Sequence, residues 1–398
     1  MIAFSRIRAL GGKPFTRLAP LAVIGPAFAV SIGYIDPGNW ATDLAAGAYG
    51  TLLLWSVVLA SLMAVILQLL CVHHAVSTGV DLATSIAERW PRTKTAAWLI
   101  FQGAAAMTDA AELTGVTIGL HLLFGLAPLP AIGIAAVMVL GVTSLGAQFE
   151  RAMLSVLGIV ALSYVYELVR SGVDVAGMAN GLFPRIPDAA ALLLIVGIVG
   201  ATVMPHNLFL HTALVSRGLA GRPPAERLRR AKLYALETWI ALGIAGLVNA
   251  AILLVAARIH GAVSIEAAYA TVGPAFGAAA ATVFGAALLA AGLGAAGTAT
   301  AAGDVVAAAL GPASLNRTAR RLLTLSPGVI VLALGVDATH ILIWSQVVLA
   351  LLLPLAILPL VVVNRGAHAP GRALGVAARI TAFLCLAFDL ALLVTSLV

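Results

Sequence analysis

The sequence predicts an all-α polytopic membrane protein in which two spans are broken near the bilayer midplane. Three observations carry this. Of 398 residues, 62% are hydrophobic and only 10% charged. Apolar runs long enough to cross a bilayer, about 20 residues each, recur over almost the whole length. Two of these runs are interrupted by a proline with polar neighbours, at Asp36-Pro37-Gly38-Asn39 and at Ala201-Thr202-Val203-Met204-Pro205-His206-Asn207. No segment is long or polar enough to fold as a separate soluble domain, so a single transmembrane domain over 1–398 is expected.

Eleven spans can be drawn, at about 19–49, 52–79, 94–124, 128–147, 151–171, 189–216, 230–257, 274–309, 320–336, 340–363 and 374–397. The first follows Arg6, Arg8, Lys13 and Arg17 and holds no small-residue cleavage site, so it is expected to be a retained helix and not a signal peptide. Span 2 carries Cys71, His73 and His74, and span 3 carries Asp109 and Glu112. Spans 4 and 5 are plain apolar runs. Span 6 holds the second break and leads into the basic loop Arg217–Lys232. Span 7 carries Glu237, and Gly and Ala dominate spans 3 and 8, as where helices approach closely. Span 9 begins at Arg320 and Arg321. Span 10 contains Ser345 and Gln346, and span 11 holds Cys385.

The loops test this count. With the N-terminus in the cytoplasm and the C-terminus outside, all but Arg170, Arg185 and Arg258 of the 23 Lys and Arg residues fall on one side. That is the positive-inside asymmetry of a multi-pass protein, and it accounts for the net charge of +7 without a nucleic-acid partner. The Ala-, Gly- and Arg-rich makeup fits a bacterial inner (plasma) membrane. The lipid bilayer is the expected partner, with no obligate protein partner in view. Cys71 and Cys385 lie far apart in apolar helices and are expected to pack.

A carboxylate at the depth of Asp36 costs about 2.5–3.5 kcal/mol on insertion scales, so it needs a compensating role. Pro37 and Pro205 withhold backbone donors and free carbonyls that lipid cannot satisfy. Spans 1 and 6 are separated by an odd number of crossings, so they run in opposite directions. Matching breaks in oppositely directed spans point to an inverted repeat, about 18–171 and 189–363, with span 11 (374–397) as an extra helix and a site at the repeat interface. Asp36 and Asn39 offer hard oxygen ligands. The second break adds a backbone carbonyl near Ala201 and the thioether of Met204. An all-oxygen cage suits Mg²⁺ or Ca²⁺, and a sulfur ligand favours softer transition metals. Met204 can instead be a gap-filling core residue.

These segments resemble the two signature segments of the Nramp family of proton-coupled divalent metal transporters of the manganese and iron type. The stretch Asp36-Pro37-Gly38-Asn39-Trp40-Ala41-Thr42-Asp43 is similar to one, and Ala201 to Leu208 to the other. Thr108-Asp109-Ala110-Ala111-Glu112 and Ser345-Gln346-Val347-Val348-Leu349 match further family segments, and the likeness runs over spans 1 to 11. The resemblance implies a leucine-transporter-like 5+5 inverted repeat with broken helices 1 and 6. It implies import of Mn²⁺ or Fe²⁺ with protons, the metal being transported substrate and not cofactor. Asp36, Asn39, the Ala201 carbonyl and Met204 are the implied ligands. Asp109 and Glu112, three apart on one helix face, are implied with His206, Arg320 and Arg321 in the proton route. The two arginines also fit simple anchors at a basic membrane face.

Departures from the family pattern give further expectations. Leu352, before Pro354, stands where a span-10 glutamine is expected, and Asp304 where span 8 would carry another. Span 8 reads Gly292 to Thr300 with few polar side chains. The second repeat is therefore expected to contribute fewer polar groups. Met204 argues against a magnesium-transporting branch that resembles the family but lacks this methionine.

The alternatives are a divalent carrier with relaxed selectivity, including Mg²⁺, or with weak proton coupling, and an organic-solute carrier of the same fold. Asp36 would repel a substrate carboxylate. An enzyme is not expected: an intramembrane metalloenzyme needs clustered ligands such as HExxH, and the sequence has none. His206 and His211 lie five apart, about 140° round a helix, and do not form such a pair. A channel would need a filter motif in place of asymmetric broken helices.

Overall fold

A computed structural model describes residues 25–142, 174–258, 264–312 and 315–397, with scattered positions between 155 and 168. Every regular element among them is helical. The first run is divided into α1 (Pro26–Ser31), a 3-10 turn at Ile32–Ile35 and α2 (Pro37–Gly47). Then come α3 (Leu54–Thr78), the short α4 (Leu82–Arg89), the 31-residue α5 (Lys94–Phe124) and α6 (Pro128–Val142). A small helix α7 (Val175–Gly181) precedes the second broken run, α8 (Ala189–Thr202) and α9 (Pro205–Leu219). The chain ends with α10 (Pro224–Arg258), α11 (Ile265–Phe276), α12 (Ala278–Ala309), α13 (Arg317–Ala333), α14 (Ala338–Leu352), α15 (Pro354–Val363) and α16 (Arg372–Leu397).

A helix stands at each expected span except the fifth, 151–171, most of which lies outside the described residues along with Arg6, Arg8, Lys13, Arg17, Arg151 and Arg170. By length and composition, six runs among the described residues qualify as membrane-crossing: α3, α8 with α9, α10, most of α12, α14 with α15, and α16. Two spans drawn as single helices are divided. Gly277, at φ +100, separates α11 from α12. Pro354 cannot give the amide that would continue α14, so α15 starts afresh at Leu353-Pro354.

Glycine and alanine set how closely these helices approach. A Cβ at Gly119 would lie 3.0 Å from the Leu289 nitrogen of α12, and one at Gly292 would lie 2.9 Å from the Glu112 carbonyl of α5. On α13, Gly328 meets the Ala110 backbone at 2.9 Å in the same sense. Thus α5 runs backbone to backbone against α12 and α13, the small-residue packing that suits helices with no hydrophobic force between them. Across the molecule, Gly200 of α8 faces the Gln346 carbonyl and the Ala350 nitrogen of α14.

Caps fix the broken ends. Gly25 sits at φ +97, and the Glu237 carboxylate of α10 accepts from the amides of Ala27 (3.1 Å) and Phe28 (3.2 Å). A residue on span 7 therefore supplies the negative charge that the N-terminus of α1 favours. Asp188 caps α8 through Ala191 N (2.7 Å), and Ala191 and the Tyr49 hydroxyl hold its carboxyl below the usual range.

The Gly200 contact has a measurable consequence. Gly200→Ala drives a methyl into α14 backbone that cannot swing aside, and should cost about 1–3 kcal/mol. Thermal unfolding of the purified variant should show a lowered midpoint at normal expression.

Candidate functional site

In a regular helix the Ala201 carbonyl would accept from the amide of residue 205, four positions on. That residue is Pro205, which has no N–H. The helix therefore stops at Thr202, and Val203 (φ −103, ψ 72) and Met204 (φ −74, ψ 126) leave helical geometry. Pro37 does the same to the first run, and Asp36 turns extended (φ −82, ψ 168) to cap α2. Asp36 Oδ1 accepts from Asn39 N (2.7 Å) and Asn39 Nδ2 (2.8 Å).

Asn39 joins the two breaks. Its Nδ2 also donates to the Ala201 carbonyl (3.0 Å), and its Oδ1 accepts from Thr202 Oγ1 and from Asn249 Nδ2, both at 3.2 Å. Asn249, on α10, donates in addition to the Tyr34 carbonyl (3.1 Å), which the first break also frees. Asp36, Asn39, Ala201 and Met204 are all essentially sealed from solvent, at 1% exposure or less. Asp36 Oδ2 has no partner among the described residues.

The Met204 sulfur takes a long contact from Asn207 Nδ2 (3.8 Å). The Asn207 amide in turn lies over Gly33, just before the first break, with the Thr298 hydroxyl of α12 beside it. Hydrogen bonds thus link Asp36, Asn39 and Ala201 directly, and Met204 reaches the first break through Asn207. Among the described residues no three His, Cys, Asp or Glu side chains cluster as a metal site. The donors gathered here are instead one carboxylate, one amide, one backbone carbonyl and one thioether.

Gln346 corrects one expectation. A Cβ at Gly38 would run into its side chain, so this glutamine lies on the first break, with Nε2 donating to Ser345 Oγ (3.1 Å) and Oε1 buried without a partner among the described residues. Span 10 has therefore kept a glutamine at the site. Leu352 lies farther along, at the end of α14. Asp304 has a different role from the glutamine expected there: it pairs with Arg317 Nε and Arg320 Nη2, both at 3.0 Å, and ties α12 to α13.

The expected proton-route residues divide. Asp109 Oδ1 meets Arg321 Nη1 at 2.5 Å and its Oδ2 takes the Thr324 hydroxyl. Glu112, one turn on, is fully buried with both oxygens unpartnered among the described residues. One more turn brings Gly115, where a Cβ would strike Pro37. One face of α5 thus runs from the first break through Glu112 and Asp109 to Arg321. Arg320 points elsewhere, to Asp304. His206 is buried at the start of α9, its Nε2 unpartnered among the described residues.

Asn249 and Gln68 lie outside the motifs read from the sequence, and Thr202 and Asn207 enter that reading only as neighbours of Pro205. Gln68 Nε2 donates to the Tyr34 hydroxyl and its Oε1 meets His211 Nδ1, both at 2.7 Å, joining α3, α9 and the 3-10 turn. A lone Asn or Gln inside a lipid-spanning run was the available signal. On the far side of the break, Trp40 is enclosed edge to face by Tyr164 (5.5 Å) and Phe284 (5.0 Å).

The Nramp profile, described as natural resistance-associated macrophage protein-like, matches residues 27–398. The chain belongs to the Nramp family. A Yersinia pestis relative named divalent metal cation transporter MntH is 40% identical over 359 residues, 87% of each chain. The crystal structure of a mutant Eremococcus coleocola manganese transporter superposes with a TM-score of 0.81 at 27% identity, covering 96% of this chain and 87% of that one. Mhp1, in an inward-facing conformation, matches at 0.55 and 18% identity over 94% of this chain and 91% of its own, a likeness of fold alone. This Nramp chain therefore has the leucine-transporter-like architecture, with its breaks at the expected places. For those relatives the named metal is transported substrate and not cofactor.

The two neighbouring arginines give a sharp contrast. Arg321→Ala strands a buried carboxylate and should destabilise by roughly 3–5 kcal/mol. Arg320→Ala leaves Asp304 its second arginine and should cost about 1 kcal/mol or less. Denaturation of the two variants side by side checks this, and equal losses would show that Asp109 does not depend on Arg321.

Proposed function

We propose that this chain imports divalent transition metal ions of the Mn²⁺ and Fe²⁺ class across the plasma membrane, together with protons, by alternating access. The observation that carries the reading is the Ala201 carbonyl, freed by Pro205 and joined through Asn39 to the carboxylate of Asp36. The MntH name of the Yersinia relative and the manganese named for the Eremococcus transporter support the same cargo class.

The ligands proposed are Asp36, Asn39, the Ala201 carbonyl and Met204. A half-turn of the Asn39 amide exchanges Oδ1 and Nδ2. Oxygen then faces a cation between Asp36 and Ala201, and Nδ2 turns to the Thr202 hydroxyl, which can accept, and to Asn249, whose amide turns in step so that its Oδ1 accepts. The thioether adds the soft donor that Mg²⁺ and Ca²⁺ do not favour. Gln346, on the Gly38 side, is a further oxygen within the same enclosure. The proton route proposed follows α5 from Glu112 to Asp109 and Arg321, with His206 beginning α9; Arg320 serves instead to hold α13 to α12.

The proposed frame is the inverted repeat of 18–171 and 189–363, eleven crossings with 374–397 as the extra helix, in a bacterial inner membrane, the N-terminus cytoplasmic and the C-terminus outside. A dication entering gains about 4.6 kcal/mol per 100 mV of inside-negative potential, at about 2.3 per charge. Voltage alone can therefore drive uptake, and protons add drive or timing.

Flux in proteoliposomes tests this. Asp36→Ala should abolish Mn²⁺ uptake at equal incorporation, and normal uptake would remove the proposed site. Met204→Ala should raise Ca²⁺ and Mg²⁺ entry relative to Mn²⁺ and Cd²⁺; an unchanged selectivity series would make the sulfur a packing group. An inward pH gradient should accelerate wild-type Mn²⁺ uptake and leave Glu112→Gln little affected.

A further inference from the structure

We propose that the cavity between α15 and α16 binds the phosphate headgroup of an anionic membrane phospholipid. The cavity measures about 330 Å³ and is walled by Arg365, Arg372 and Arg379, with Gly366, Ala369 and Gly375 among its small lining residues. It is lined by the loop between α15 and α16 and shares no lining residue with the breaks or with the α5 polar line.

Several of the chain's other arginines are ion-paired. Arg222 and Arg230 pair with Glu226, Arg317 and Arg320 with Asp304, and Arg321 with Asp109. No ion pair among the described residues involves Arg365, Arg372 or Arg379, and no carboxylate lines the cavity. Three arginines thus line one space, and none of them has an ion-pair partner among the described residues. Guanidinium is the side chain best matched to phosphate, through paired N–H donors. Basic pockets between membrane helices are recurrent headgroup sites.

The walls are built in advance. The loop closes on itself through His368 N to the Arg365 carbonyl (3.3 Å) and Ala369 N to the Gly366 carbonyl (3.1 Å). His73 Nε2 on α3 donates to the His368 carbonyl (3.0 Å) and pins the loop in place. On α16, Arg372, Gly375 and Arg379 stand at i, i+3 and i+7, one helix face. A Cβ at Gly375 would meet Pro370 at 3.4 Å and Arg379 at 3.6 Å, so the glycine leaves the space between them open.

The hydrophobic surface beside the cavity selects a lipid over a free anion. Val376, Phe383 and Leu390 continue the arginine face of α16 toward the bilayer centre and are exposed, Phe383 at 67%. Only 22% of the apolar window of α16 is buried, against 83% for the run α8 with α9. A phosphate held by the arginines would lay its acyl chains along this track, and inorganic phosphate would leave it unused.

Thermal unfolding in nanodiscs tests the site. Wild-type protein should melt several degrees higher in phosphatidylglycerol than in phosphatidylcholine, and inorganic phosphate added to the phosphatidylcholine sample should give no rise. The double variant Arg372→Gln/Arg379→Gln should lose at least half of the phosphatidylglycerol shift. The charge-matched Arg229→Gln/Lys232→Gln, on exposed residues outside the cavity, should keep it. An equal shift in both double variants would reduce the effect to general surface charge, and a matching rise with inorganic phosphate would make the cavity a small-anion site; either overturns the proposal. Should the pocket variant fold poorly, photoactivatable phosphatidylglycerol on the wild type supplies the second measurement. Crosslinks should concentrate on 372–390, and an even spread over the lipid-facing helices would overturn the assignment.

Discussion

Pro205 has no amide hydrogen, and the rest of the site depends on that. The Ala201 carbonyl loses its helical donor in a place where lipid offers none, and a buried polar group without a partner is expensive. Asn39 answers it from the other broken run. The same amide nitrogen holds Asp36, and the same side-chain oxygen collects Thr202 and Asn249. Two defects, each unfavourable alone in an apolar span, become mutually satisfying once the helices cross at this point. The crossing fixes the neighbours in turn. Gly38 must be bare to admit Gln346, Gly115 to admit Pro37, and Gly200 to admit the backbone of α14.

The breaks were legible because they violate the local pattern. Proline and a carboxylate inside an apolar run are visible without any knowledge of tertiary structure, and so is the Asp109 and Glu112 spacing. The partners were less so. Asn249 and Thr202 sit in or at the end of ordinary helices, and nothing in their own neighbourhoods says which helix they will meet. Gln346 shows the difficulty best. Counting back from Pro354 directs attention to Leu352, but the crossing with α2 falls nearly two turns earlier, and only the packing of Gly38 and Gly200 fixes that register. Arg320 and Arg321 make a similar point. Adjacent residues on a helix diverge by about 100°, so one reaches Asp109 and the other Asp304, and sequence alone does not say which.

Close approach of small residues also explains how α5 carries two carboxyls through the bilayer. Packed backbone to backbone with α12 and α13, the helix excludes lipid from the face bearing Asp109 and Glu112. Asp109 is met by Arg321 and Thr324, which is the condition for keeping a charge in low dielectric. Glu112, only one turn away, has no such hydrogen-bond partner among the described residues. The turn of helix between it and Pro37 is the distance over which the first break can make itself felt.

The composition of the site bears on release as well as capture. Calcium sites tune affinity partly through the number of charged ligands, and a carrier must let its cargo go on every cycle. On the proposed function a single carboxylate, with an amide, a carbonyl and a thioether, leaves a dication only half neutralised. The neutral donors are also the ones tied to the helix breaks, so their convergence lasts only while α2 and α8 remain in register. Separating the two helices by a few ångströms withdraws the Ala201 carbonyl and Met204 and, on the proposed function, leaves the ion with Asp36, Asn39 and water. On the proposed function the ion replaces the hydrogen bond from Asn39 to the Ala201 carbonyl as the link between the two breaks, so the separation of α2 from α8 that opens the site also ends binding.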